Sequence, residues 1–260
     1  MQAGVVLAPR DPPEVEFFRR LRGPLWAIVP VASIIGVIFA IRYVSDTATG
    51  LTYLALVAVP PLAALALGWA CRRSHPLAAL AVVPLFAAAW AARTSLAGEA
   101  AGALLSALSC VTLGVLLAAV TPRGWLKLGI VAMAGADSWL VISDLLQNPN
   151  ATLIAAHPFG GLPQLQSLQF GSVSMGYGDV FVAGVLGAVL ACELRRQCAG
   201  AVLTLAIAAL FDLLFLVVSE LPATVPVALA LIALEGWARL GASASRRRST
   251  PAAATPRQAR

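Results

Sequence analysis

Residues 175–191 read MGYGDVFVAGVLGAVLA, and the class of the molecule turns on why a run of small and apolar side chains carries a carboxylate, Asp179, near its start. The chain around it is built in the same way. Of its 260 residues 60% are hydrophobic and 12% charged, and the mean hydropathy is +0.86. A soluble domain shows apolar stripes; here the apolar residues come in long runs. The composition predicts an all-α polytopic membrane protein, because ~20 apolar residues rising ~1.5 Å each cross a ~30 Å hydrocarbon core.

The runs predict about eight spans, at 24–44, 51–71, 76–94, 100–120, 125–146, 173–194, 199–219 and 221–240. The first carries no short cationic leader or small-residue cleavage site, so it is expected to be retained. Pro60, Pro61 and Pro84 fall inside spans, where neighbouring helices can satisfy the freed carbonyls, and kinks are expected there. Basic residues concentrate on the cytoplasmic side of membrane proteins. Arg10, Arg19, Arg20, Arg22, Arg72, Arg73, Arg123, Lys127, Arg195, Arg196 and Arg246 to Arg248 all fall on one side of an eight-span chain, against Arg42 and Arg93 on the other. Both termini are therefore expected in the cytoplasm, with the segment from Asn148 to Val173 facing outward. The implied organisation is a cytoplasmic segment 1–23, N-terminal helices 24–124, a second half 125–240 containing the connection 148–172, and a disordered basic tail 241–260.

The formal charge of +6 suits topology and anionic lipid better than nucleic acid, since the arginines lack interleaved aromatics. Nearly every basic residue is arginine, which together with abundant alanine suggests a high-GC bacterial genome. Cys71, Cys110, Cys192 and Cys198 show no metal-ligand spacing, and His75 and His157 lie in connecting segments, so neither a disulfide framework nor a metal site is expected. Glu193 and Glu235 lie at span ends near Arg195, Arg196 and Arg239, where their side chains can snorkel to water.

Asp137, Asp144, Asp179 and Asp212 remain. An ionisable group inside a span costs ~3 kcal/mol on insertion scales, so such residues are functional candidates. All four fall in the central or outer part of the membrane under the expected topology. Asp137 and Asp144 are seven apart and would share a helix face; Asp179 would lie about six residues into its span, ~9 Å deep. Two carboxylates brought together cannot both ionise cheaply: one keeps its proton while the other acts as base toward water, the dyad chemistry of amide hydrolysis. Gly176 and Gly178 would let a second chain approach closely, or equally serve tight helix packing. The stretch SELPATVPVALALI adds Pro222 and Pro226 on either side of Ala223 and Thr224, which disfavours a regular helix start and leaves backbone groups able to shape a pocket.

GYGD in one span, an aspartate in the preceding span and a Pro-Ala turn two spans later resemble the GxGD intramembrane aspartyl proteases, the presenilin and signal peptide peptidase family, over roughly residues 125–240. The resemblance implies a presenilin-like helical bundle, a catalytic pair formed by Asp179 and an aspartate of the preceding span, and no cofactor. Gly176, Gly178 and Asp179 match the GxGD motif, with Tyr177 at its variable position. Pro222 and Ala223 match the start of the family's Pro-Ala-Leu motif, with Thr224 in place of leucine; these residues and the motif glycines would line the substrate. AGADSWLV around Asp137 fits the partner aspartate, with Asp144 as the alternative and Asp212 as a supporting hydrogen-bonding group. The family has nine spans with its dyad on the sixth and seventh, against the fifth and sixth of eight here. The outward active-site end would resemble signal peptide peptidase.

The implied activity is hydrolysis of peptide bonds within or near a transmembrane segment of a membrane-protein substrate, in the cell membrane. The connection 148–173 would act as a gate or as an extended strand pairing with substrate. Two rivals stand beside this reading. Prepilin-peptidase-like leader peptidases also carry GxGD, but the proline turn and the absence of a cytoplasmic cysteine module disfavour them. A proton-coupled transporter would use the aspartates as a relay and cleave nothing.

Overall fold

The computed structural model describes residues 1–8, 18, 20–44, 46–70, 76–171, 173–216 and 221–248. Arg10, Arg19, Arg72, Arg73, Cys71, His75 and the tail beyond 248 lie outside the described residues. The molecule is mostly helical. In chain order it has α1 (Gln2–Leu7), α2 (Val29–Tyr43), α3 (Thr47–Ala70), α4 (Val82–Ala91), α5 (Leu96–Val120), α6 (Arg123–Ile142), α7 (Gln147–Ala155), the strands β1 (Ser167–Phe170) and β2 (Val173–Gly176), α8 (Tyr177–Leu190), α9 (Leu194–Asp212) and α10 (Val225–Arg248). A helix lies over each of the eight expected intervals. Five helical segments, Pro24–Tyr43, Thr47–Ala70, Leu96–Val120, Arg123–Ile142 and Leu194–Asp212, are long and apolar enough to cross a membrane, and Leu77–Ala91 and Tyr177–Leu190 are shorter apolar helices. An all-α membrane protein is the architecture these helices fit.

The core is organised around α5 and α8. Every residue of α8 from Val182 to Leu190 is buried, and so is a long stripe of α5 from Ala101 to Val115. Glycine sets their separation. A Cβ on Gly114 would stand 2.5 Å from the Gly184 carbonyl carbon, and one on Gly184 would stand 2.6 Å from the Cys110 oxygen. The two backbones therefore touch directly, the small-residue packing by which membrane helices approach closely. Around this pair α3 and α4 cover one side of α5, while α6, α9 and α10 pack on α8.

Several boundaries differ from the hydropathy reading. Pro60 and Pro61 lie inside a continuous α3, and Thr112 of α5 donates to the neighbouring Leu62 carbonyl at 2.6 Å. Pro84 lies inside the short apolar helix Leu77–Ala91, where a 3-10 stretch passes into α4. Pro226 is the second residue of α10, a position that accepts proline. The last helix runs to Arg248, so residues 241–248 are helical rather than part of a disordered tail. Within the segment 1–23, Gln2–Leu7 is a helix that joins the core: Val5 and Val6 are buried against α8 and α9. Its apolar run is too short to register as a span, yet long enough to be covered by its neighbours.

The sixth expected span, 173–194, begins with strand rather than helix. Residues 167–170 and 173–176 pair antiparallel, Ser167 opposite Gly176 and Leu168 opposite Met175, with Gly171 in the left-handed region at φ 61° opening the turn. Alternation explains the choice of strand. Leu168, Phe170 and Met175 share one face and Ser167, Gln169, Ser174 and Gly176 the other, and Leu168 and Met175 join the main core. One helix face of α5 holds the hairpin at three points. The Glu99 carboxylate accepts the Gly171 N–H at 2.7 Å, the Ser106 hydroxyl donates to the Leu165 carbonyl at 3.0 Å, and Ser109 Oγ lies 2.6 Å from the Tyr177 hydroxyl.

Candidate functional site

Because β2 consumes residues 173–176, α8 starts at Tyr177 and Asp179 is its third residue, in the first turn rather than six residues deep. This position has a local logic. A carboxylate in the first turn favours the helix dipole, and one at the third position can reach back to the residue before the helix, as in a capping box. Asp179 does so, accepting the Gly176 backbone N–H. The glycines then have specific reasons. A Cβ on Gly176 would come within 2.9 Å of Asp179 Oδ2, and one on Gly178 would come 3.0 Å from Ile34 Cδ1 of α2.

Tyr177, at the variable position of the motif, is tied to α5 twice. Its hydroxyl pairs with Ser109, and its carbonyl accepts the Cys110 thiol at 3.7 Å. Ser109 in turn donates to the Ser106 carbonyl at 2.7 Å. The start of α8 is thereby fixed to the same helix face that holds the hairpin.

Asp137 lies on α6, which packs against α8 and α10. The turn before α10 meets it. Thr224, fully buried, donates both its backbone N–H and its hydroxyl to Asp137 Oδ2, at 3.2 and 2.7 Å. Pro222 closes the turn by accepting the Val225 N–H at 3.3 Å. The Ala223 carbonyl accepts the Gln2 side-chain amide at 2.8 Å, so α1 reaches the same place. The helices that carry Asp137 and Asp179 pack against each other. Asp137, Asp179, Gly176, Tyr177, Gly178, Pro222, Ala223 and Thr224 thus belong to one region where α6, α8 and α10 converge.

The two remaining aspartates share none of these contacts. α6 ends at Ile142, so Asp144 is beyond the helix and shares no face with Asp137. Its φ of 55° is left-handed. The Asp144 N–H bonds the Val141 carbonyl and the Leu145 N–H the Leu140 carbonyl, each at 3.1 Å, which together make a Schellman termination. Aspartate is among the few residues besides glycine that enter this conformation readily, which gives Asp144 a structural task that its sequence context concealed. Asp212 is the exposed last residue of α9.

Sequence reasoning missed three contributors. Gln2 falls in the expected cytoplasmic segment, Ser109 carries no motif, and Ser167 sits opposite Gly176 with a buried hydroxyl that has no hydrogen-bond partner among the described residues. The SLQF/VSMG alternation was the available signal for the last of these. At the other end of α6 and α10, Glu235 Oε1 accepts Lys127 Nζ at 2.8 Å and Arg196 at 2.9 Å, so it is paired as well as near water. Searches against protein-family models, curated proteins and solved structures find no match to the chain, so the chemistry of the site must be argued from its own residues.

Proposed function

We propose that the chain is an aspartic endopeptidase that hydrolyses peptide bonds within or near transmembrane segments, with Asp137 and Asp179 as its catalytic pair. The observation that carries this reading is the convergence of α6, α8 and the Pro222–Thr224 turn, with Thr224 placing two donors on Asp137 Oδ2. A carboxylate fixed in this way keeps one oxygen oriented while leaving the other free for chemistry. Asp179, on a rigid and buried helix anchored through Tyr177, supplies the second carboxyl.

In this reaction one carboxylate accepts a proton from water as its oxygen attacks the scissile carbonyl, while the other carboxyl protonates the carbonyl oxygen. The tetrahedral intermediate then collapses: the C–N bond breaks and the amine leaves with a proton returned from the pair. No cofactor enters. The scissile segment must be unwound first, because helical hydrogen bonds shield its carbonyls, and the hairpin beside Asp179 offers strand edges to which an unwound segment could add. The arginine distribution supports a multi-pass chain in the cell membrane with cytoplasmic termini and an outward active-site end. By its motifs the chain resembles the presenilin and signal peptide peptidase family, and its substrate class would be a membrane-protein segment.

The test is cleavage of a labelled transmembrane-helix peptide by the purified protein in lipid. D137N and D179N should each abolish cleavage while remaining folded, and D144N should retain it. Cleavage that survives D179N would overturn the assignment.

A further inference from the structure

Several buried hydroxyls of this protein serve its own backbone. Ser106 donates to Leu165, Ser109 to Ser106 and Thr52 to Ala48, and partly buried Ser138 donates to Ala134. Ser167 differs. It is only 7% exposed, yet its Oγ has no partner among the described residues, although a serine hydroxyl can both donate and accept.

Its placement is specific. Ser167 stands directly opposite Gly176 in the hairpin register, and side chains of directly opposed residues project to the same face of a strand pair. The direction of a side chain on Gly176 is known: its Cβ would end 2.9 Å from Asp179 Oδ2. Ser167 therefore projects toward the side of the hairpin on which the Asp179 carboxylate lies, and the residue between them in the register has no side chain. A peptide whose scissile carbonyl reaches Asp179 can pass over Gly176 at close range, and in doing so comes beside the Ser167 hydroxyl.

We infer that Ser167 is a substrate-binding residue of this site, its hydroxyl hydrogen-bonding the backbone of an extended peptide laid across Gly176. This inference rests on the protease reading of Asp137 and Asp179. It accounts for a buried hydroxyl that has no partner among the described residues, and it names the ligand chemistry: a main-chain carbonyl or N–H, independent of the substrate's side chains.

The experiment compares the parent, S167A, S167T and D179N in phosphatidylcholine vesicles. It measures kcat/KM for a labelled transmembrane-helix peptide and the thermal midpoint of each protein. S167A should lower kcat/KM about tenfold, the size of one lost hydrogen bond, with an unchanged or raised midpoint because no internal bond is broken. S167T, which keeps the hydroxyl, should stay within about threefold of the parent. Asp179-dependent cleavage that S167A leaves at the parental rate would overturn this inference and spare the protease reading. So would an S167A loss accompanied by a lowered midpoint, which would mark a structural serine. Cleavage by D179N equal to the parent, or no cleavage by the parent, would overturn both.

Discussion

Thr224 holds a single oxygen of Asp137 with two donors, its backbone N–H at 3.2 Å and its hydroxyl at 2.7 Å. Thr224 stands immediately before α10, where threonine ordinarily turns its hydroxyl back to cap its own helix. Here that hydroxyl is spent on another helix. The position at which the sequence departs from Pro-Ala-Leu is thus the one that orients the carboxylate. T224V keeps the shape and the N–H but loses the hydroxyl, and should lower kcat/KM by about tenfold or more, the scale of a hydrogen bond to a charged group. T224S should restore most of the activity. A T224L variant as active as the parent would show that the hydroxyl is dispensable.

Asp144 predicts a different pattern from Asp137. Its backbone is left-handed at φ 55°, so D144G should be neutral or stabilising by up to ~1 kcal/mol, whereas D144V should cost ~1–2 kcal/mol. Neither should change kcat per folded molecule. Thermal unfolding in detergent alongside peptide cleavage separates the two effects, and a specific loss of turnover in D144G would return Asp144 to the catalytic candidates.

The α5–α8 crossing gives a sharper stability test. A Cβ on Gly114 would lie 2.5 Å from the Gly184 carbonyl carbon, whereas one on Gly135 of α6 meets nothing within 4 Å. G114A should therefore cost ~1–3 kcal/mol through overpacking. G135A should be neutral or gain up to ~1 kcal/mol from reduced chain entropy. Comparable midpoints for the two variants would mean that the helices can part without cost.

A helix over each expected apolar interval and the residues of the region where α6, α8 and α10 meet were legible in the sequence, for two separate reasons. Long apolar runs leave the backbone no choice but helix in hydrocarbon, and Asp137, Asp179 and Pro222 to Thr224 are unusual enough in such runs to stand out. What escaped was set by backbone hydrogen bonding rather than hydropathy. Val173–Gly176 is apolar enough to extend a span, yet its partner Ser167–Phe170 supplies strand bonds instead, which moved Asp179 to the first turn of its helix. Four-residue strands are too short for a period-two pattern to outweigh the run behind them. Asp144 looked like a second face residue because its seven-residue spacing assumed that α6 continued; the helix stops at Ile142. Nothing in the chemistry of Gln2 or Ser109 distinguishes them from other polar residues until the fold places them.

Helices α6 and α10 are joined at two places, by Asp137 with Thr224 and by Lys127 with Glu235. The two contacts are ten residues apart on α6 and eleven on α10 and run in opposite directions, about 15 Å and 16 Å along the respective helix axes. The match lets an antiparallel pair satisfy both without sliding, and Arg196 of α9 joins the second at 2.9 Å. These charged side chains are about a third exposed, so solvent screens them and E235Q should cost only ~1 kcal/mol, less at high salt. Lys127 and Glu235 should couple in a double-mutant cycle with K127M and E235Q. E235Q and T224V are separated by about 16 Å of helix, so their effects on stability should add within ~0.5 kcal/mol. Strong coupling between them would mean that the two contacts act as one device, with the charged end of the helix pair setting the position of Asp137.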